Sequence, residues 1–289
     1  MRRCTRRAFT LIELLVVVAI IALLISILLP SMTAARDQGK KIKCASNEKQ
    51  LGLGLLYYVH EYGYYPADHY QPPSGGEWMI SWVPRIRVYS NFQDDIFWCP
   101  STPSEFRWAP SPRDEYNGSL PTVEYGYRHG EKPLTAPFDE PFFSYVHNGS
   151  GLVLFTAKCL GLGMHSRESY QGELPGFSEI PERDVVRPAD MIAIADSRGD
   201  GASDTEISAN RWRASTHPGT RHFGGSEVLF ADGHVVHMRL DNQLLCKLDV
   251  FQMQLGSWVR PQIEAEFDGA IVRRWTNDWK EHRNEWRRR

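Results

Sequence analysis

Four histidines, His217, His222, His234 and His237, fall within a short stretch that also holds Asp232, and these residue types bind metals or move protons. The stretch contains Asp232-Gly233 between two β-prone runs, the strongest short hairpin signal. A two-residue type I′ turn there pairs Phe230 with Val235 and Leu229 with Val236. It sends His234 and His237 to opposite faces, so the two cannot share a site. No HExxH and no G-x-S-x-G nucleophile elbow occurs. The histidines therefore read as capping and polar-contact residues, and no catalytic residue is assigned. Asp196, Asp200 and Asp204 form an acidic loop with a faint calcium-loop look. An EF-hand needs oxygen ligands at its third and twelfth positions, where this chain has Arg198 and Ile207. That leaves only a looser calcium site, and no other cofactor is expected. The chain has five cysteines and no CxxC, which argues against a zinc ribbon. Cys44, Cys99, Cys159 and Cys246 allow three pairings, and in an oxidising compartment one disulfide among them is expected.

The elements that must position these groups begin with an unusual N-terminus. Residues 1–8 hold four arginines and no acid, and removing them takes the formal charge from −2 to −6. A mildly acidic remainder does not suggest a nucleic-acid partner. Phe9–Leu29 follows, 21 residues with Glu13 as the only charge. As a helix it is roughly 30 Å long, the hydrocarbon thickness of a bilayer. Arg2, Arg3, Arg6 and Arg7 just before it keep the N-terminus cytoplasmic and send the remainder across. The run is too long for a secretory signal peptide, although Thr33 and Ala35 form a weak cleavage site. A twin-arginine signal (Thr5-Arg6-Arg7-Ala8-Phe9) is usually less hydrophobic and carries no acid in its apolar core. A carboxylate inside a span is costly and marks a functional position.

The segment Arg6-Arg7-Ala8-Phe9-Thr10-Leu11-Ile12-Glu13-Leu14-Leu15 resembles the cleavage and methylation signal of type IV prepilins and type II secretion pseudopilins. The resemblance implies a cut between Ala8 and Phe9 by a prepilin peptidase, methylation of the Phe9 amine, and Glu13 at mature position five. Ala8 departs from the usual glycine before the cut. The implied mechanism is physically sound, since the new amine of one subunit can neutralise Glu13 of its neighbour. Pro30 also matches the family and is expected to kink or loosen the helix. Implied partners are the peptidase, other pilin-like subunits and the bacterial inner membrane, with the head periplasmic or on the cell surface after assembly. Pseudopilin heads sometimes hold calcium in β-region loops.

Residues 30–62 read as a continuation of the helix, with Ala45, Gly52, Leu55, Leu56 and Val59 on its apolar face. Gly39, Gly52 and Gly54 weaken it, so packing must help. The helix ends at Gly63-Tyr64-Tyr65-Pro66. Residues 63–272 read as a globular head, an antiparallel sheet with long loops. Its short runs are Ile96–Cys99, Ser150–Thr156, Met191–Ala195, Val228–Ala231 and His234–Met238. Trp78–Tyr89 and Pro137–Tyr145 are assigned to the core, and residues 273–289 to a basic tail. The hairpin within 222–238 has apolar residues on both faces and is expected to be central and buried.

His222 and Asp232-Gly233 form an H-X9-DG element. This resembles the element that ends a large set of planctomycete-type prepilin-like proteins, as do the Cys44–Gly54 segment and Trp98-Cys99-Pro100. The fold implied is α+β and pilin-like, with a long N-terminal helix packed on an antiparallel β-sheet head. The function implied is a non-enzymatic filament subunit. The competing expectation is a membrane-anchored binding or enzymatic module, perhaps for polysaccharide, that uses the helix only as an anchor.

Overall fold

The computed structural model describes residues 10–70, 78–80, 82–104, 107, 111–112, 126–128, 131–132, 135–136, 143–151, 161–163, 179–197, 206–208 and 218–239. Ala8, Phe9, Cys159, Cys246, Asp200, Asp204, His217 and the basic tail lie outside the described residues. The chain divides into two compact units, residues 1–40 and 41–289.

Helix α1 runs from Leu11 to Tyr62 and contributes to both units. In the first unit its large apolar side chains, from Leu11 to Met32, are all exposed. A helix apolar all round is at home only in a core or a membrane, and this one is long and apolar enough to cross a bilayer. Its start is a reciprocal capping box. The Glu13 N–H donates to Thr10 Oγ1 at 3.3 Å, while the Thr10 N–H donates back to Glu13 Oε2 at 2.9 Å. The Thr10 hydroxyl also donates to that oxygen, at 2.8 Å. The helical assignment continues through Pro30.

In the second unit α1 buries Cys44, Asn47, Glu48, Leu51, Gly52, Gly54, Leu55, Tyr58 and Val59. The face includes Gly52, Leu55 and Val59 as expected, with Ala45 half-buried, but Leu56 is exposed and three polar-capable residues, Cys44, Asn47 and Glu48, are inside. The helix stops at Tyr62. Gly63 takes φ 75° and its N–H donates to the Val59 carbonyl at 2.7 Å, a left-handed cap suited to glycine.

Next come β1 (His69–Tyr70), β2 (Trp78–Ile80), α2 (Trp82–Tyr89), β3 (Ser111–Pro112), β4 (Glu131–Lys132) and β5 (Thr135–Ala136). The main sheet is built from β6 (Tyr145–Gly151), β7 (Ile192–Asp196), β8 (Glu206–Ser208), β9 (Gly225–Phe230) and β10 (Val235–Arg239). Its order is β10-β9-β7-β6-β8, antiparallel except where β8 runs parallel to β6. The architecture is thus α+β, a long N-terminal helix with an antiparallel sheet, as expected. Strands β7 and β9 are buried along their whole length, and their core joins Leu51, Leu55, Trp82, Ile86, Phe143 and Tyr145. The Ile96–Cys99 run is not a strand; Asp94–Phe97 forms a 3-10 turn.

The β9–β10 hairpin departs from expectation in two ways. Val235 pairs with Leu229, and Val236 with Val228, one residue away from the expected register. The loop has three residues: the Gly233 N–H donates to the Phe230 carbonyl at 2.8 Å, and the Phe230 N–H to the His234 carbonyl at 2.9 Å. Gly233, at φ 87°, takes the left-handed position that closes such a loop. The hairpin is also not central, because β10 lies at the sheet edge and is mostly open to solvent.

Candidate functional site

Cys44 lies on the buried face of α1, eleven residues before Leu55. Cys99 follows the 3-10 turn, Asp196 closes β7, and His222 precedes β9. All four side chains are buried, and their donor atoms lie within 4.8 Å of one another. The Cys44 thiol donates to Asp196 Oδ1 at 3.1 Å and lies 3.2 Å from the Tyr145 hydroxyl. Cys99 Sγ is 3.3 Å from His222 Nε2, which is 3.7 Å from Asp196 Oδ2.

His222 is held in place by a tight turn. Its backbone exchanges both hydrogen bonds with Gly225, at 3.2 and 3.0 Å. Phe223 and Gly224 between them have φ 52° and 78°, positive at both positions as a type I′ turn requires. The type I′ geometry expected at Asp232-Gly233 therefore appears nine residues earlier, where a phenylalanine hides it from a sequence reading.

A polar shell surrounds the four residues. The Glu227 N–H donates to Asp196 Oδ2 at 2.9 Å, and Arg221 Nη2 donates to Asp196 Oδ1 at 3.3 Å and to the Ser144 carbonyl at 2.5 Å. Asn47 Nδ2 donates to the Trp98 carbonyl at 2.9 Å. Glu48, one turn beyond Cys44, is fully buried, and neither carboxyl oxygen has a hydrogen-bond partner among the described residues. Burial and the nearby acids Asp196 and Glu227 hold its carboxyl well above the usual range. Burial likewise pushes the Cys44 thiol up. The Cys99 thiol is drawn down, first by its hydrogen bond with Cys44 and then by His222. Burial lowers the basicity of His222, but Cys99, Asp196 and Glu227 outweigh it and the net direction is upward. Cys44 and Cys99 are both free thiols.

The other expected site residues are placed differently. Asp232 Oδ1 accepts from the His234 N–H at 3.1 Å and lies 2.5 Å from His234 Nδ1. The His234 ring stacks on Phe230 at a centroid separation of 4.4 Å. His237 Nδ1 lies 2.9 Å from Glu227 Oε1. Asp196 is fully buried. The structure thus joins His222 to two cysteines that the sequence reading kept apart from it. Four residues of three types from four distant segments leave no local spacing motif, which is why a search for CxxC could not find them.

A second buried polar pair lies elsewhere in the head. His147 Nδ1 is 2.6 Å from Asp68 Oδ1, both are fully buried, and Trp82 stacks on the imidazole at 5.8 Å.

Residues 3–29 match the prokaryotic N-terminal methylation motif. Over 137 residues the chain is 28% identical to the type II secretion system core protein G of Klebsiella michiganensis, covering 47% of this chain and 78% of that protein. No solved structure matches.

Proposed function

We propose that the chain is a pilin-like subunit of a secretion or surface filament, made to be cut between Ala8 and Phe9 and assembled through α1. The observation that carries this reading is the methylation motif over residues 3–29, which from Leu11 onward lies on the part of α1 whose large apolar side chains, Leu11 to Met32, are all exposed. The likeness to a secretion-system core protein supports the same class. In this reading α1 spans the inner membrane, with the head on its periplasmic side and the other pilin-like subunits as partners. A prepilin peptidase cuts the leader and methylates Phe9, and the chain itself does no chemistry.

Glu13 is the assembly residue. Both bonds from Thr10 go to Oε2, which leaves Oε1 without a bond from Thr10 and available to a neighbour's Phe9 amine. A charge left alone in lipid is costly, and the pairing offsets much of that cost. The capping box adds a second role, because the same carboxylate fixes the start of its own helix.

Two measurements test the reading. Mass spectrometry of the protein from its native host is expected to find N-methylated Phe9 as the mature N-terminus. Glu13→Ala is expected to abolish filament incorporation while the head keeps its circular dichroism and melting temperature. An uncut Met1, or normal incorporation of Glu13→Ala, would favour a head anchored by an ordinary span.

A further inference from the structure

We propose that Cys44, Cys99, Asp196 and His222 hold one zinc ion that fastens α1 to the sheet of the head. Zinc takes thiolate, imidazole and carboxylate donors, and a structural site closes its tetrahedron with four protein ligands. This cluster supplies two sulfurs, one nitrogen and one carboxylate, all buried.

Distances fit the assignment. With Zn–S about 2.3 Å and Zn–N or Zn–O about 2.1 Å, a tetrahedron has S···N and S···O edges of ~3.6 Å and an N···O edge of ~3.4 Å. The observed separations are 3.1 Å from Cys44 to Asp196 Oδ1, 3.3 Å from Cys99 to His222 and 3.7 Å from His222 to Asp196 Oδ2, so the carboxylate turns one of its two oxygens to the ion. Small shifts of side chains already in contact complete the site.

Charge is compatible with the ion as well. Loading zinc releases two protons to solvent, one from Cys44 and one held by the Cys99–His222 pair, and adds two positive charges, so the net charge of the buried site does not change. The outer shell is in place too, since Glu227 N–H and Arg221 fix the Asp196 carboxylate and Tyr145 meets the Cys44 sulfur. A Cys44–Cys99 disulfide would use the sulfurs but leave His222 and Asp196 packed on them without a role. Four protein ligands leave no open position for substrate, so the site is structural.

The test uses the full-length chain in detergent, purified under reducing conditions. Elemental analysis is expected to give one zinc per chain. After chelation, cobalt(II) titration is expected to saturate at one equivalent, with thiolate charge-transfer absorption and intense tetrahedral ligand-field bands, and zinc is expected to displace the cobalt. Cys99→Ser and His222→Gln are expected to weaken cobalt binding at least tenfold, whereas His234→Gln and His237→Gln leave it unchanged. Should the site variants fail to fold, the wild-type spectrum still decides. Three wild-type results overturn the proposal: no metal uptake after reduction, cobalt bound without a thiolate band, or metal-free chains carrying a Cys44–Cys99 disulfide. None of them bears on processing at Phe9.

Discussion

The glycines of α1 give the sharpest test of how the helix meets the head. A Cβ on Gly54 would stand 2.6 Å from Ile86 Cγ2 and 3.2 Å from the Ile86 carbonyl oxygen, which is backbone and cannot turn aside. A Cβ on Gly52 would stand 2.6 Å from Leu229 Cδ1, the end of a side chain, and 3.3 Å from the Gly233 carbonyl oxygen. At Gly39 nothing lies within 4 Å. Replacing glycine by alanine inside a helix gains about 1 kcal/mol. Overpacking a tight contact costs about 1–3 kcal/mol. Gly39→Ala therefore keeps the gain, Gly52→Ala comes out near zero or slightly destabilising, and Gly54→Ala loses about 1–2 kcal/mol net. At about 2–4 °C per kcal/mol for a chain of this size, Gly54→Ala should melt several degrees below Gly39→Ala. The assay is thermal unfolding of the full chain in detergent, followed by near-ultraviolet circular dichroism of the buried aromatics. If all three variants gain alike, close approach is not what Gly52 and Gly54 provide, and the packing argument is wrong.

Other predictions rest on the turn and the second polar pair. Phe223 is 58% exposed at φ 52°, so Phe223→Asn relieves a left-handed strain of about 1 kcal/mol while giving up little burial. An unchanged melting temperature for that variant would count against strain at the turn. Burial pulls the pKa of His147 from 6.5 to about 3, so the unfolded chain binds the extra proton first. The stability it contributes is full above pH 6.5 and is lost as pH falls from there through 3. His147→Gln should flatten the acid-side slope of a denaturant-midpoint against pH plot, and an unaltered slope would remove His147 from the account. Burial raises the carboxyl of Asp68 instead, so its contribution has the opposite sign: present below pH 3.8 and lost as pH climbs through its raised pKa. Asp68→Asn should therefore make the same plot steeper, and a flatter one would refute that sign.

Much of the helix was legible because bilayer thickness sets a length and a carboxylate stands out in an apolar run. The α+β class was legible from punctuation by Gly and Pro after Tyr62. The buried face of α1 was read correctly at Gly52, Leu55 and Val59 but its extent was missed, because only apolar residues and glycines were scored. Cys44, Leu51, Leu55 and Tyr58 share a helical face, and treating cysteine as the small hydrophobe it often is would have found it. Asn47 and Glu48 gave no such signal, since nothing local says that a polar side chain has a buried partner. The hairpin register failed for a different reason. Asp-Gly fits a two-residue turn and equally the last two positions of a three-residue loop, and the difference moves every pair by one.

The segments that resemble the H-X9-DG proteins are far apart in sequence, yet they meet in one region of the head. Cys44 and Asn47 lie on α1, and Asn47 reaches the carbonyl of Trp98 beside Cys99. His222 at the start of the element touches Cys99, and Gly233 at its end receives Lys49 Nζ on its carbonyl oxygen at 2.7 Å. Gly52 sits under that same glycine, where a Cβ would stand 3.3 Å from the Gly233 carbonyl oxygen and 3.4 Å from its Cα. Both ends of the element therefore grip residues 44–52 of α1, one through a thiol-and-histidine cluster and the other through a turn seated on a helical glycine. Nine residues between His222 and Asp232 are what this demands: a tight turn at Phe223-Gly224, strand β9, and the first residue of the closing loop. An insertion or deletion of one residue in β9 would also flip alternate side chains between the two faces of the strand. The spacing is therefore a length requirement of the joint between residues 44–52 of α1 and the sheet.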